Sequence, residues 1–250
     1  MSTPLCVFLP GPHEGVGVVR MQDAAGKNAM TERFVHELVA AFRAAEAWAP
    51  LRVLVLQGLP DMFSTGAHVG MLRDLVGGRV APSDILLPKV VFDCPVPVVA
   101  AMEGHAIGGG LALGLCADMV VIARESRYGA TFMNMGFTPG MGMTRLLTHV
   151  LSPALAHELL FTGELKRGSF FEGKSGFNAI LPRVAVLPAA LDLAARVADK
   201  PRVSLEMLKR TLSLPRRRAF EETHTIESLM HRVSFASPEV LARIEDVHAE

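Results

Sequence analysis

Residues 103–115 read EGHAIGGGLALGL, with Gly108, Gly109 and Gly110 between an apolar strand, VPVVAAM, and an apolar segment, LALGLCA. A strand, a glycine turn and a helix leave backbone N–H groups without intrahelical partners where the helix begins. Such groups could cradle a phosphate, as in a dinucleotide fold. The run lacks the G-x-G-x-x-G spacing and the GK[ST] ending, and no acidic residue follows at the distance a ribose needs. They could instead point at a polarised carbonyl and act as an oxyanion hole. Or the glycines only let helix and strand approach closely. A second stretch, MFSTGAHVGML at 62–72, again leaves an apolar strand through Ser, Thr and Gly and enters a helix. Two such turns could bring one N–H apiece to a single oxygen, which favours the oxyanion reading.

The elements that must position these turns are legible in outline. LCVFLP and VGVVRMQ read as two strands joined by the turn GPHEG. MTERFVHELVAAFRAAEAW is an amphipathic helix in which Phe34, Leu38, Ala41 and Phe42 keep helical spacing, with Thr31 as N-cap. LRVLVLQG, PVVAAMEG and DMVVIA are apolar strands, suited to a sheet covered on both faces. Strands alternating with helices predict α/β architecture with crossover connections. From about Pro153 the chain turns helical: PALAHELLF, VLPAALDLAARVAD, RVSLEMLKRTLS, RAFEETHTIESLMHRVSF and SPEVLARIEDV. The predicted layout is an α/β core over 1–195 and a helical region over 196–250 that packs on the core or on a neighbouring subunit.

Composition narrows the function. Half of the 250 residues are hydrophobic, and 25 basic residues balance 25 acidic ones. The chain therefore reads as globular, and it lacks the basic excess of a nucleic-acid protein. Cys6, Cys94 and Cys116 are widely spaced with no CxxC pair, which points to free thiols in a reducing compartment and gives no metal pattern. No secretory signal is predicted, and no apolar run reaches the roughly 18 residues of a membrane span. A cytoplasmic protein is expected.

The ordered motifs NAM, FSTGA, GHAIGGG, CAD and GFTPGMGMTRLL together resemble the crotonase superfamily, the enoyl-CoA hydratase/isomerase fold, over nearly the whole chain. The resemblance implies a ClpP/crotonase-like spiral of ββα units with a helical C-terminal trimerisation region, assembled as a homotrimer or hexamer. It implies that the backbone N–H groups of Ala67 and Gly109 form the oxyanion hole for a thioester carbonyl. Hydratases of the family carry one glutamate three residues after the oxyanion glycine, here Ala112, and a second at the position of Phe132. Hydration needs a base for water and an acid for the α-carbon. Ala112 and Phe132 supply neither, so a hydratase is not expected.

What remains is a thioester clamp in an apolar pocket, lined by Gly110, Leu111, Ala112, Phe132 and Met133. Loss of CO2 from a β- or vinylogous carboxylate needs no external base, only an electron sink and one proton. MEGHAIGGG, ARESRYGATFM and GFTPGMG resemble the decarboxylases of polyketide β-branching cassettes. This resemblance implies conversion of a 3-methylglutaconyl to a 3-methylcrotonyl thioester on an acyl carrier protein. Phosphopantetheine or coenzyme A would carry the acyl group, with no metal or redox cofactor, among the enzymes of a polyketide synthase cassette. It also implies His231, in SLMHRVSF, as proton donor. His68 either touches the substrate or caps its loop. His224 shares a helix face with His231 and reads as structural. Family members also place a lysine, and in some a tyrosine, after the first oxyanion turn to meet the substrate carboxylate. VGMLRDLVGGRVAPSD offers only Arg73 and Arg79, which also read as solvated charges; Arg79 is the candidate. Lys209, Arg210, Arg216, Arg217 and Arg218 form either a solvated face or a surface for an acidic carrier protein. Met71, Met133, Met135, Met141 and Met143 fill the core or shape the acyl site. An enoyl-thioester isomerase and a non-catalytic carrier-protein scaffold are the alternatives.

Overall fold

Runs of valine, leucine and alanine bounded by glycine or proline build the central strands, because such side chains suit a pleated surface covered on both faces. The structure is a computed structural model and describes residues 3–81 and 87–249. Its strands are β1 (Cys6–Pro10), β2 (Val16–Met21), β3 (Ala29–Met30), β4 (Val53–Gln57), β5 (Met62–Ser64), β6 (Gly66–Ala67), β7 (Val98–Met102), β8 (His105–Ile107), β9 (Met119–Ala123), β10 (Arg127–Gly129), β11 (Lys166–Arg167) and β12 (Ala179–Leu181). Its helices are α1 (Glu32–Ala47), α2 (Val69–Val76), α3 (Leu87–Asp93), α4 (Gly109–Leu115), α5 (Met143–Val150), α6 (Pro153–Thr162), α7 (Arg183–Ala198), α8 (Arg202–Phe235) and α9 (Val240–Ala249).

Among the described residues the main sheet runs β1-β2-β4-β7-β9-β12, with β1 antiparallel to β2 and the later neighbours parallel. A second sheet of short strands runs β11-β10-β8-β5, and β3 pairs with β6. Each turn of the chain lays one strand in the main sheet, one in the second sheet, and then a helix: β4-β5-α2, β7-β8-α4, β9-β10-α5. This is the expected spiral of ββα units.

The main sheet is covered on both faces, as its uninterrupted apolar strands require. On one face Val53, Val55, Val99 and Val121 meet a stripe of α7, Val186, Ala190, Ala194 and Ala198, spaced four apart. On the other face Leu54, Leu56, Ala100 and Ile122 join the larger core, which takes in Phe34, Leu38, Ala41 and Phe42 of α1. The N-cap of α1 is Thr31, whose hydroxyl accepts from the Phe34 N–H at 3.1 Å.

The C-terminal region corrects one expectation. RVSLEMLKRTLS and RAFEETHTIESLMHRVSF are not two helices but one, α8, 34 residues long and passing through Pro215. A proline inside a helix removes one hydrogen bond and costs about 3 kcal/mol. Ion pairs on either side of it hold the helix down. Lys209 Nζ stands 2.9 Å from Asp118 Oδ2, Arg216 reaches Asp118 Oδ1 at 2.8 Å, and Arg217 pairs with Asp93. Arg216 also donates to the Ala117 carbonyl, and Arg217 to that of Phe92. Three of the five cations, read as either a solvated face or a carrier-protein surface, are thus paired with acids of the fold; Arg210 and Arg218 remain exposed. The outer side of α8 carries exposed Val203, Met207, Leu208, Leu212, Leu229 and Val233. Among the described residues no helix is long and apolar enough to cross a membrane.

Asp118 is the shared acceptor of a lysine side chain only 4% exposed and an arginine 18% exposed. Asp118→Ala is expected to cost about 3–5 kcal/mol in urea unfolding, because it strands two buried cations. A loss below about 1 kcal/mol would show that they do not depend on it.

Candidate active site

The first glycine turn is built from the buried amide of Asn28. Asn28 sits at φ 53 and is wholly buried. Its Nδ2 donates to the Met21 carbonyl at 3.3 Å and the Phe63 carbonyl at 3.0 Å, and its Oδ1 accepts from the Asp23 N–H. The Asn28 carbonyl accepts from the Ser64 hydroxyl at 2.7 Å, and the same hydroxyl oxygen accepts from the Gly66 N–H. Ala29 and Met30 then pair with Gly66 and Ala67 as β3 against β6. The turn that presents Ala67 is therefore fixed by side chains on both sides of it.

The second turn lies directly against the first. Gly66 has φ 83, and a Cβ there would stand 2.8 Å from the Ile107 carbonyl oxygen and 3.0 Å from the Gly109 nitrogen. A Cβ on Gly110 would collide with the Ser64 carbonyl. The glycines thus serve a close approach of two peptide turns, which the sequence left open between three uses. No side chain caps α4, which begins at Gly109.

Ala67 and Gly109 line one cavity of about 110 Å3, together with Phe132, Met141, Glu227 and His231. His224, Ser228 and Phe235 complete the contribution of α8, so one face of that helix forms a wall. The His231 Nε2 lies 2.7 Å from the Thr138 carbonyl oxygen. A carbonyl only accepts, so this nitrogen carries the proton. Phe137 and Phe235 pack on the ring, with centroids at 6.0 and 5.0 Å. Burial lowers the His231 pKa below its ordinary 6.5, against the Thr138 hydrogen bond that raises it, so the ring is neutral at neutral pH.

Glu227 was missed by the sequence reading. It is 2% exposed, and its carboxylate accepts from the Gly142 N–H, the Thr144 N–H and the Thr144 hydroxyl. Burial pushes its pKa up, while those donors pull it down. Its spacing of four before His231 was the available signal, because residues four apart share a helix face.

The structure separates the remaining candidates. Phe132 lines the cavity as expected. Gly110 and Ala112 do not; Gly110 backs onto Ser64, and Ala112 is wholly buried inside α4. Met133 is 38% exposed and lies away from the cavity, whereas Met135 and Met141 line it. His68 caps α2, its Nδ1 accepting from the Gly70 N–H at 3.0 Å. Arg79 pairs with Asp74, its side chain 67% exposed, and Arg73 pairs with Glu245, so both are surface charges. Pro82, Ser83 and Asp84 of the same stretch lie outside the described residues. A lysine does follow, one helix later than the stretch considered: Lys89 in α3, 3.8 Å from Asp93. His224, read as structural, stacks on Phe220 and also faces the cavity.

A ββα spiral in which two glycine turns meet over an apolar cavity defines a crotonase-fold protein. The family model for enoyl-CoA hydratase/isomerase matches residues 11–245, and the chain belongs to that family. It is 38% identical over 231 residues to the bacillaene synthase decarboxylase PksI of Bacillus subtilis, covering 92% of each chain. A solved structure from a dehydratase/decarboxylase couple involved in polyketide β-branching superposes with a TM-score of 0.94 at 35% identity, over 98% of this chain and 100% of that one. The ECH2 decarboxylase domain of CurF from Lyngbya majuscula superposes with a TM-score of 0.91 at 34% identity, over the same shares. The chain is thus close to the β-branching decarboxylases within its family.

If the two turns act together as an oxyanion hole, Gly110→Ala, whose Cβ would push them apart, is expected to fold and to lose turnover of an acyl thioester by about 100-fold or more. Turnover within about threefold of wild type, at unchanged circular dichroism, would show that the approach of the turns is not needed for chemistry.

Proposed function

We infer that the protein decarboxylates 3-methylglutaconyl-acyl carrier protein, or a close analogue, to the 3-methylcrotonyl thioester during polyketide β-branching. The observation that carries this reading is the cavity itself. Ala67 and Gly109, the apolar wall of Phe132, and the ring of His231 meet there. Glu227 is the lone carboxylate among the described lining residues, and three donors occupy it. No carboxylate is left free to activate water, and decarboxylation asks for no base.

In the reaction proposed, the thioester carbonyl oxygen sits between the N–H groups of Ala67 and Gly109. The bond to the carboxylate carbon breaks and CO2 leaves. The electron pair moves through the conjugated double bond to the carbonyl oxygen, giving a dienolate whose charge the two amides hold. Apolar surroundings disfavour the charged carboxylate relative to the spread charge of the dienolate. His231 takes up a second proton from solvent at Nδ1, passes it to the α- or γ-carbon, and returns to the neutral form whose Nε2–H is held by Thr138. The acyl group arrives on the phosphopantetheine of an acyl carrier protein, or on coenzyme A, and no metal or redox cofactor takes part. Similarity to β-branching decarboxylases supports enzymes of such a cassette as partners.

Incubation with 3-methylglutaconyl-carrier protein, read by intact mass, is expected to show loss of carbon dioxide. His231→Ala should slow it by about 100-fold. An unchanged mass with wild type would overturn the reading. Isomerisation of an enoyl thioester that lacks a free carboxylate would then identify an isomerase, and carrier-protein binding without turnover a scaffold.

The exposed apolar side of α8 supports assembly as a trimer or hexamer. Light scattering should give three or six times the 26.9 kDa subunit mass; a monomer would refute it.

A further inference from the structure

Two hydrogen-bonding residues, one helical turn apart on α8, grip the same segment across the cavity. Glu227 Oε2 accepts from the Gly142 N–H at 2.7 Å, and Oε1 accepts from the Thr144 N–H at 3.0 Å and the Thr144 hydroxyl at 2.7 Å. His231 donates from Nε2 to the Thr138 carbonyl at 2.7 Å. Thr138–Thr144 therefore hangs from α8 at both ends.

That segment is the roof over the oxyanion turn. Met141 holds a left-handed backbone, φ 60, unusual for a side-chain-bearing residue. Its sulfur lies 2.9 Å from where a Cβ on Gly109 would stand, so it covers the second oxyanion residue. Gly140 faces the His231 ring so closely that a Cβ there would strike it. Gly142 starts α5 at φ 80, and its own residue type offers no capping side chain. A cap for α5 alone could come from a short surface side chain. Here it comes from a buried carboxylate on another helix, which carries a desolvation cost.

We propose that Glu227 is a positioning residue: by pinning Thr138–Thr144 it sets the placement of the His231 ring relative to the Ala67 and Gly109 amides. Without it, the Gly142 and Thr144 amides lose their acceptor and the segment relaxes. The carbonyl that orients His231 and the sulfur that covers Gly109 move with it. The inference rests on the decarboxylase reading for its kinetic consequence, and on geometry alone for its effect on the His231 ring.

The test compares wild type, Glu227→Ala and Thr144→Val. The last keeps Glu227 and two of its three hydrogen bonds, and serves if Glu227→Ala does not fold. Histidine-selective 15N–1H spectra of the assembled protein report the His231 Nε2–H held by Thr138. Glu227→Ala is expected to shift or broaden that signal. It should lower kcat at least about tenfold while KM stays within about twofold. In a His231→Ala background it should add less than about twofold, because the two residues act through one geometry. Thr144→Val should move the ring signal in the same direction, with a loss in kcat of about threefold. An unmoved His231 signal, or losses in the double variant that multiply, would overturn the proposal and leave Glu227 as a cap for α5. If wild type releases no carbon dioxide, the decarboxylase reading fails, and the His231 signal still decides the role of Glu227.

Discussion

The close approach of two peptide turns sets the terms for the rest of the molecule. Gly66 and Gly110 touch backbone where any other residue would place a Cβ. This brings the peptide groups of Ala67 and Gly109, far apart in sequence, to one cavity. A backbone N–H in a fixed turn has no rotamer freedom to lose when it donates, whereas a side-chain donor does. The price is rigidity on all sides. Asn28 locks one turn from beneath, β3 pairs along it, and the spiral of ββα units supplies strands at the spacing the turns need.

A second constraint comes from α8. It runs along the body of the protein through Pro215, tied by Lys209, Arg216 and Arg217, before it reaches the cavity. There it exposes Glu227 and His231 to one segment and lends an otherwise apolar cavity its titratable groups. Ion pairs earlier along α8 thus hold the helix that carries Glu227 and His231.

Much of this was legible in residue patterns. Thr31 before a period of Phe34, Leu38 and Phe42 announced α1, and uninterrupted apolar strands announced a sheet with two covered faces. The glycine runs left three uses open, and the structure shows the close approach of the turns. His231 was legible only through resemblance, since a lone helix histidine has no pattern of its own. Features set by tertiary partners were not legible. Pro215 looked like a break because sequence does not show Asp118 and Asp93 waiting on either side. Arg79 looked available because Asp74 is its partner only once the turn after α2 has formed. Met133 and Met135 stand two apart in a 3-10 turn and face opposite ways, one outward and one into the cavity, and the sequence does not show which is which. Glu227 drew no reading at all, because its three donors lie 83 to 85 residues earlier in the chain.

The wall formed by α8 has a further consequence for biosynthesis. Both glycine turns leave the ribosome well before the helix that closes the cavity over them. A nascent chain that has built its sheets still shows an open apolar trough and no ring proton beside it. The cavity therefore closes only after α8 has been made, when every strand and both turns already precede it in the chain.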